Sequence, residues 1–140
     1  MRAWKGLFIF VLAVGLVGLF ACKGGKYSDA KDVLNKSIKT MESFTAAMDK
    51  AGDPKAVVKA INEFSGDMAD LKPKMLALDK KYPELKDQAN PPKELKPLID
   101  KMQEVSGKLM GAMMKLYQYQ QDPDVQKASE AMNKIMSENE

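Results

Sequence analysis

The chain contains no histidine and a single cysteine, and aromatic side chains make up 7% of it. Without histidine it lacks the commonest general base near neutral pH, the usual zinc ligand, and the Glu-x-x-His element by which helical bundles hold paired iron. One thiol cannot close an internal disulfide, so the fold must stand on packing alone. A glycine-rich phosphate loop is also missing, since Gly107 and Gly111 sit inside an apolar repeat of helical period. No serine or lysine is spaced with a base that would activate it. These absences point away from catalysis, and we expect no enzyme and no cofactor.

What is present begins with an address. Arg2 and Lys5 precede an apolar run from Leu7 to Phe20, interrupted by Gly15 and Gly18 and closed by Leu19-Phe20-Ala21-Cys22. A positive start, an apolar middle and a small residue before the cut form the pattern of an export signal. Read instead as an uncleaved helix, Gly6 to Ala21 at ~1.5 Å per residue spans only about 24 Å of a roughly 30 Å hydrocarbon core.

The closing four residues resemble the lipobox of bacterial lipoproteins, with Leu19 at the minus-three position, Ala21 beside the cut and Cys22 as the first mature residue; Phe20 is bulkier than the pattern usually prefers. The resemblance implies diacylglycerol bonded to the Cys22 sulfur, cleavage before it and acylation of the freed amine. One chain anchors a protein marginally, whereas two or more, at about 0.8 kcal/mol per buried methylene, anchor it stably. Membrane lipid is then a partner through Cys22, and no thiol nucleophile remains. In that family an aspartate after the cysteine usually retains the product in the inner membrane. Lys23 stands there instead, which implies the outer membrane, facing the periplasm.

A cut before Cys22 removes 21 of 140 residues and leaves 119, enough for one domain with a single core. It also removes Arg2 and Lys5, so 20 basic side chains face 19 acidic ones. The near-neutral surface has no basic footprint for nucleic acid. Asp32 with Lys36, Asp70 with Lys74, Glu104 with Lys108 and Glu130 with Lys134 are spaced as ion pairs along solvated helix faces, worth ~0.2–0.5 kcal/mol each. The expected organisation is a signal peptide over 1–21, a lipidated cysteine and flexible tether over 22–27, and a helical domain over 28–140. Lys23 and Lys26 of the tether could each gain about 1 kcal/mol against anionic headgroups.

Four amphipathic segments fill that domain. The first starts at a Ser28 cap followed by Asp29, buries Leu34, Ile38, Met41, Phe44 and Met48, and stops at Gly52. Asp53 and Pro54 read as a cap and first helical residue. The second segment repeats Val57, Ile61, Phe64, Met68, Leu71, Met75, Leu78 and Tyr82 in steps of four and three, and because this seam keeps its phase across Pro73, the proline should kink the helix rather than split it. Pro83, Asn90, Pro91 and Pro92 mark a connection. The third segment runs from about Glu94 to Gln120 on Leu95, Leu98, Met102, Val105, Leu109, Ala112, Leu116 and Tyr119, its stripe widened by Ile99, Met110, Met113 and Tyr117. Asp122 and Pro123 repeat the cap-and-proline start ahead of Val125, Ala128, Met132 and Ile135. Two helical hairpins joined by a longer link stack most simply as an all-α, up-down-up-down four-helix bundle.

Asp49 to Phe64 and Ala89 to Leu95 resemble the first turn and the proline-containing middle link of the b-type four-helix cytochromes of the periplasm, a resemblance covering roughly half of the mature chain. Those cytochromes bind haem through a methionine and a histidine. The histidine is absent, so the resemblance carries over architecture and no haem.

One residue type could still carry chemistry. Ten of the eleven methionines follow the cut, and Met110, Met113 and Met114 stand together in the third segment. Thioethers suit Cu(I), and positions three or four apart share a helix face. Against this, Met41, Met48, Met68, Met75, Met102 and Met132 fall on core stripes, where methionine serves as adaptable filler. A methionine-rich face near Tyr117 and Tyr119 also suits contact with an envelope protein partner. The expected function is therefore binding or structural, with Cu(I) handling by Met110, Met113 and Met114 as the alternative.

Overall fold

The computed structural model describes residues 25–87 and 90–137. The signal segment, Cys22 and Lys23 lie outside them. Among the described residues, four α-helices form an all-α bundle: α1 (Ser28–Lys50), α2 (Pro54–Lys81), α3 (Lys96–Leu116) and α4 (Pro123–Ser137), with short 3-10 turns at Pro83–Lys86 and Tyr117–Tyr119. Among the described residues no helix is long and apolar enough to cross a membrane.

Helix direction alternates up, down, up, down. Tyr27 meets Tyr82 where α1 begins and α2 ends, and Leu95 joins the same cluster where α3 begins. Helix α1 packs against both α2 and α3, and α2 also packs against α4, whereas α3 and α4 barely meet through their backbones. Parallel helices thus lie side by side, and the seam between α3 and α4 is open.

Local chemistry explains the boundaries. Asp53 is extended and its carboxylate accepts from the Ala56 amide at 2.9 Å, with Pro54 following as the first helical residue. Asp122 accepts from the amides of Asp124 (2.9 Å) and Val125 (3.2 Å), so both Asp-Pro starts behave as the sequence predicts. Ser28 does not cap α1; Tyr27 takes the cap position but its side chain bonds none of the first amides of the helix, and Asp29 accepts from the Ala30 amide within the first turn. Nor does Gly52 close α1 in a left-handed conformation. The chain turns extended at Ala51, and no described glycine has a positive φ. Helix α2 runs unbroken through Pro73, and Pro97 sits in the first turn of α3, where its missing N–H leaves no intrahelical bond unmade.

Two apolar clusters fill the interior. The upper one joins Phe44 and Met48 of α1, Val57, Ile61 and Phe64 of α2, Ala112 and Leu116 of α3, and Val125, Ala128 and Met132 of α4. Phe44 and Phe64 lie 4.7 Å apart, tilted by 40°. The lower cluster holds Tyr27, Ala30 and Val33 with Leu71, Leu78, Tyr82 and Leu95, and α4 contributes nothing to it. The reason is length: the 15 residues of α4 span about 22 Å, against about 42 Å for the 28 residues of α2. Met75, expected in the seam of α2, is consequently left exposed.

Candidate functional site

Lys26 and Tyr27, expected in a flexible tether, belong to the folded domain. Tyr27 is buried and its hydroxyl donates to Glu84 at 2.9 Å, while Lys26 pairs with the same carboxylate at 3.0 Å. The end of α2 mirrors this. The single Tyr82 hydroxyl proton is shared between the Asp29 carboxylate at 2.8 Å and the Lys26 carbonyl at 2.6 Å, and Lys81 pairs with Asp29. Each lysine also lies about 5 Å over the ring of the tyrosine that follows it, Lys26 at 4.9 Å and Lys81 at 5.0 Å. Two Lys-Tyr pairs thus clasp each other, with their rings 5.2 Å apart.

Electrostatics follow the contacts. Hydrogen bonding to Tyr27 and then Glu84 raises Lys26 above the usual ammonium range, and Asp29 raises Lys81. The Lys81 ammonium holds Asp29 below the usual carboxylate range, and Glu84 is lowered by its own backbone amide and then by Lys26. With its ammonium on Glu84, Lys26 is not the loose cation that the tether reading supplied for headgroups.

Neighbouring helices supply two further lysines that the sequence did not single out. The Lys115 ammonium donates to the Met48 and Asp49 carbonyls at 2.6 and 3.0 Å, capping the end of α1. Lys72 does the same for Ile135 and Met136 at the end of α4. Cations at carbonyl ends satisfy orphan acceptors and complement the helix dipole. Of the expected surface pairs, Glu104 with Lys108 forms at 2.7 Å; Asp32 with Lys36 and Asp70 with Lys74 do not. Lys101 of α3 instead bridges to Glu42 of α1 at 3.0 Å.

The methionines divide into two populations. Met48 and Met132 are buried, and Met41, Met68, Met102 and Met113 are half-buried. Met110 and Met114 are 69% and 67% exposed, and Tyr117 beside them is 67% exposed. The structure therefore places Met110 and Met114 on one outward face of α3 and packs Met113 against the upper core. Among the described residues no group of three or more histidine, cysteine, aspartate or glutamate side chains is placed to hold a metal.

Two clefts bear on binding. One of about 640 Å³ lies between the first turns of α2 and α4, with Asp53, Asp122 and Asp124 opposed by Lys55 and Lys127. The other, about 430 Å³, follows the open seam between α3 and α4 past Met113, Leu116, Tyr117, Val125 and Met132. Comparison with protein-family models, with curated proteins and with solved structures finds no match.

Proposed function

We propose that the chain is a lipid-anchored bacterial envelope protein with a binding or structural role and no catalytic one. The observation that carries the reading is Leu19-Phe20-Ala21-Cys22 at the end of an export-type segment, only a few residues before the clasp. From Cys22 to Lys26 the chain extends at most about 14 Å, and Lys26 is then fixed to the foot of α2. Such an anchor would hold the clasp end of the bundle against the membrane and point the ends of α1 and α3 away from it. Lys23 after the cysteine favours the outer membrane, facing the periplasm.

Intact mass of the native protein and labelled palmitate test this. The expected product starts at Cys22, carries acyl chains and fractionates with the outer membrane, while Cys22→Ala accumulates as an unlipidated precursor. A native chain with an intact amino terminus and a bare Cys22 sulfur overturns the proposal.

A further inference from the structure

The open quarter of the bundle lies beyond the end of α4, toward the clasp. There α2 shows five consecutive exposed residues, Pro73 to Ala77, bounded by half-buried Lys72 and buried Leu78, although a bundle helix ordinarily turns a residue inward every third or fourth position. Met75 and Leu76 are 37% and 40% exposed, and Met136, at the end of α4 beside Lys72, is 48% exposed. In the same half of the bundle, among the described residues, α1 exposes only polar side chains between Ser28 and Lys39, and α3 exposes no large apolar one. Apolar surface at the clasp end is thus concentrated on one side. Lys80, four residues after Leu76 and on its helix face, is exposed and meets no carboxylate among the described residues. Asp79 and Asp70 are the nearest acids in sequence, so the patch is not strongly basic.

We propose that this side of α2, centred on Met75 and Leu76, rests on the lipid bilayer, a contact that presupposes the acylated Cys22 proposed above and adds which side of the domain the lipid meets. Leu76, Met75 and Met136 would enter the headgroup layer, with the Lys80 ammonium turned to lipid phosphates on its aliphatic stem.

Position and area favour bilayer over a protein partner. The Lys26 carbonyl is fixed to the Tyr82 hydroxyl; Leu76 lies about 9 Å up α2 from Tyr82, and Cys22 reaches at most about 14 Å from Lys26. A bundle leaning on this side therefore brings anchor and patch to one plane. The exposed face of Met110, Met114 and Tyr117 begins about 20 Å along α3 from the clasp end, beyond that plane. Three partly exposed side chains offer far less than the ~800 Å² per partner of a standard protein interface. A tethered patch needs no such area, because the anchor already holds it beside the lipid at high effective concentration.

The test reconstitutes the lipidated chain into vesicles of phosphatidylethanolamine and phosphatidylglycerol, with photoreactive benzoylphenylalanine in place of Leu76. Irradiation should give phospholipid adducts, read by mass spectrometry, in several-fold excess over the same residue in place of Lys39 on α1 or Met114 on α3. Adding Met75→Glu and Met136→Glu should lower the Leu76 yield several-fold while circular dichroism shows that the helices persist. Lipid adducts no more frequent at Leu76 than at Lys39, adducts with a second chain in place of lipid, or a yield indifferent to the two glutamates overturns the proposal. Failure of the anchor is read separately, as a bare Cys22 sulfur in the native protein. Coupling that sulfur to a lipid with a maleimide headgroup would then supply the tether, and the same adducts would still decide the face.

Discussion

The Tyr82 hydroxyl, just past the end of α2, donates at 2.8 Å to the Asp29 carboxylate in the first turn of α1, 53 residues back along the chain. The same hydroxyl holds the Lys26 carbonyl, so one oxygen ties the entering strand to the foot of the bundle. Tyr82→Phe keeps the ring and removes the proton that the two acceptors share. One shared hydrogen bond to a charged, partly exposed acceptor is worth about 1–2 kcal/mol net, so the melting temperature should fall by ~5 °C or more. Tyr27→Phe removes one bond to Glu84, which keeps its Lys26 partner, and should cost less. A Tyr82→Phe melting temperature within about 1 °C of the parent would show that the clasp does not hold the domain together.

The clasp also sets a pH window. Asp29 and Glu84 are lowered by their partners, so their contribution is present above the ordinary carboxylate values of 3.8 and 4.5 and is lost as pH falls through the lowered ones. Lys81 is raised, so its contribution is complete below 10.5 and is lost as pH rises through the raised value. Stability should therefore be flat from about pH 5 to 10 and fall on both sides. Because these groups are largely exposed, salt should shrink the acid-side loss. Urea melts at several pH values, with and without 0.5 M salt (about a 4 Å screening length), provide the check; a slope between pH 6 and 9 would point to groups outside the clasp.

The fold was legible because its signals are local and periodic. Asp53-Pro54 and Asp122-Pro123 set two helix starts, and apolar steps of three and four set the seams of α2 and α3. Less legible was everything fixed by a residue distant in sequence. Ser28 has the right chemistry for a cap, but the buried Tyr27 takes that position, and the end of α1 is satisfied by Lys115 from α3 rather than by Gly52. The periodicity of α2 places Met75 in the core, and only the shortness of α4 explains why nothing covers it. At the candidate site, sequence spacing grouped Met110, Met113 and Met114, but the position of α4 decides which of the three turns inward.

Lysines that cap other helices make a prediction that charge counting does not. Lys115→Met keeps most of the aliphatic stem and removes the ammonium from the Met48 and Asp49 carbonyls. The expected cost is about 1 kcal/mol, nearer the dipole value than that of a buried charge because the site is partly solvated. Lys108→Met, which removes the Glu104 surface pair, should stay within about 0.5 kcal/mol. Chemical denaturation of the two variants distinguishes them, and equal effects would deny Lys115 its capping role.

Burial also orders the methionines by reactivity. Dilute peroxide converts an accessible thioether to its sulfoxide before a buried one. Peptide mass spectrometry should find Met110 and Met114 oxidised first, Met113 later, and Met48 and Met132 protected until the bundle unfolds. The substitutions should follow the same order. Met48→Ala should cost about 2–5 kcal/mol, and Met114→Ala should lie within about 0.5 kcal/mol. Early oxidation of Met132 would place the α3–α4 seam far wider open than the groove described here.

Copper supplies the last prediction, because it depends on whether three thioethers can converge. Met110 and Met114 are one turn apart on the exposed face of α3, but Met113 packs against the upper core beside Leu116 and Met132. Bringing its sulfur outward would strip apolar contacts from that cluster, and the lost burial would be subtracted from any metal affinity. Two exposed thioethers offer Cu(I) a suitable ligand type without an enclosed site. Anaerobic titration should therefore show no binding tighter than about 1 μM, a limit near −8 kcal/mol, and replacing Met110, Met113 and Met114 by leucine should leave the isotherm unchanged. Tighter binding that the three leucines abolish would instead make the α3 face a Cu(I) site, with Met113 turning outward on loading.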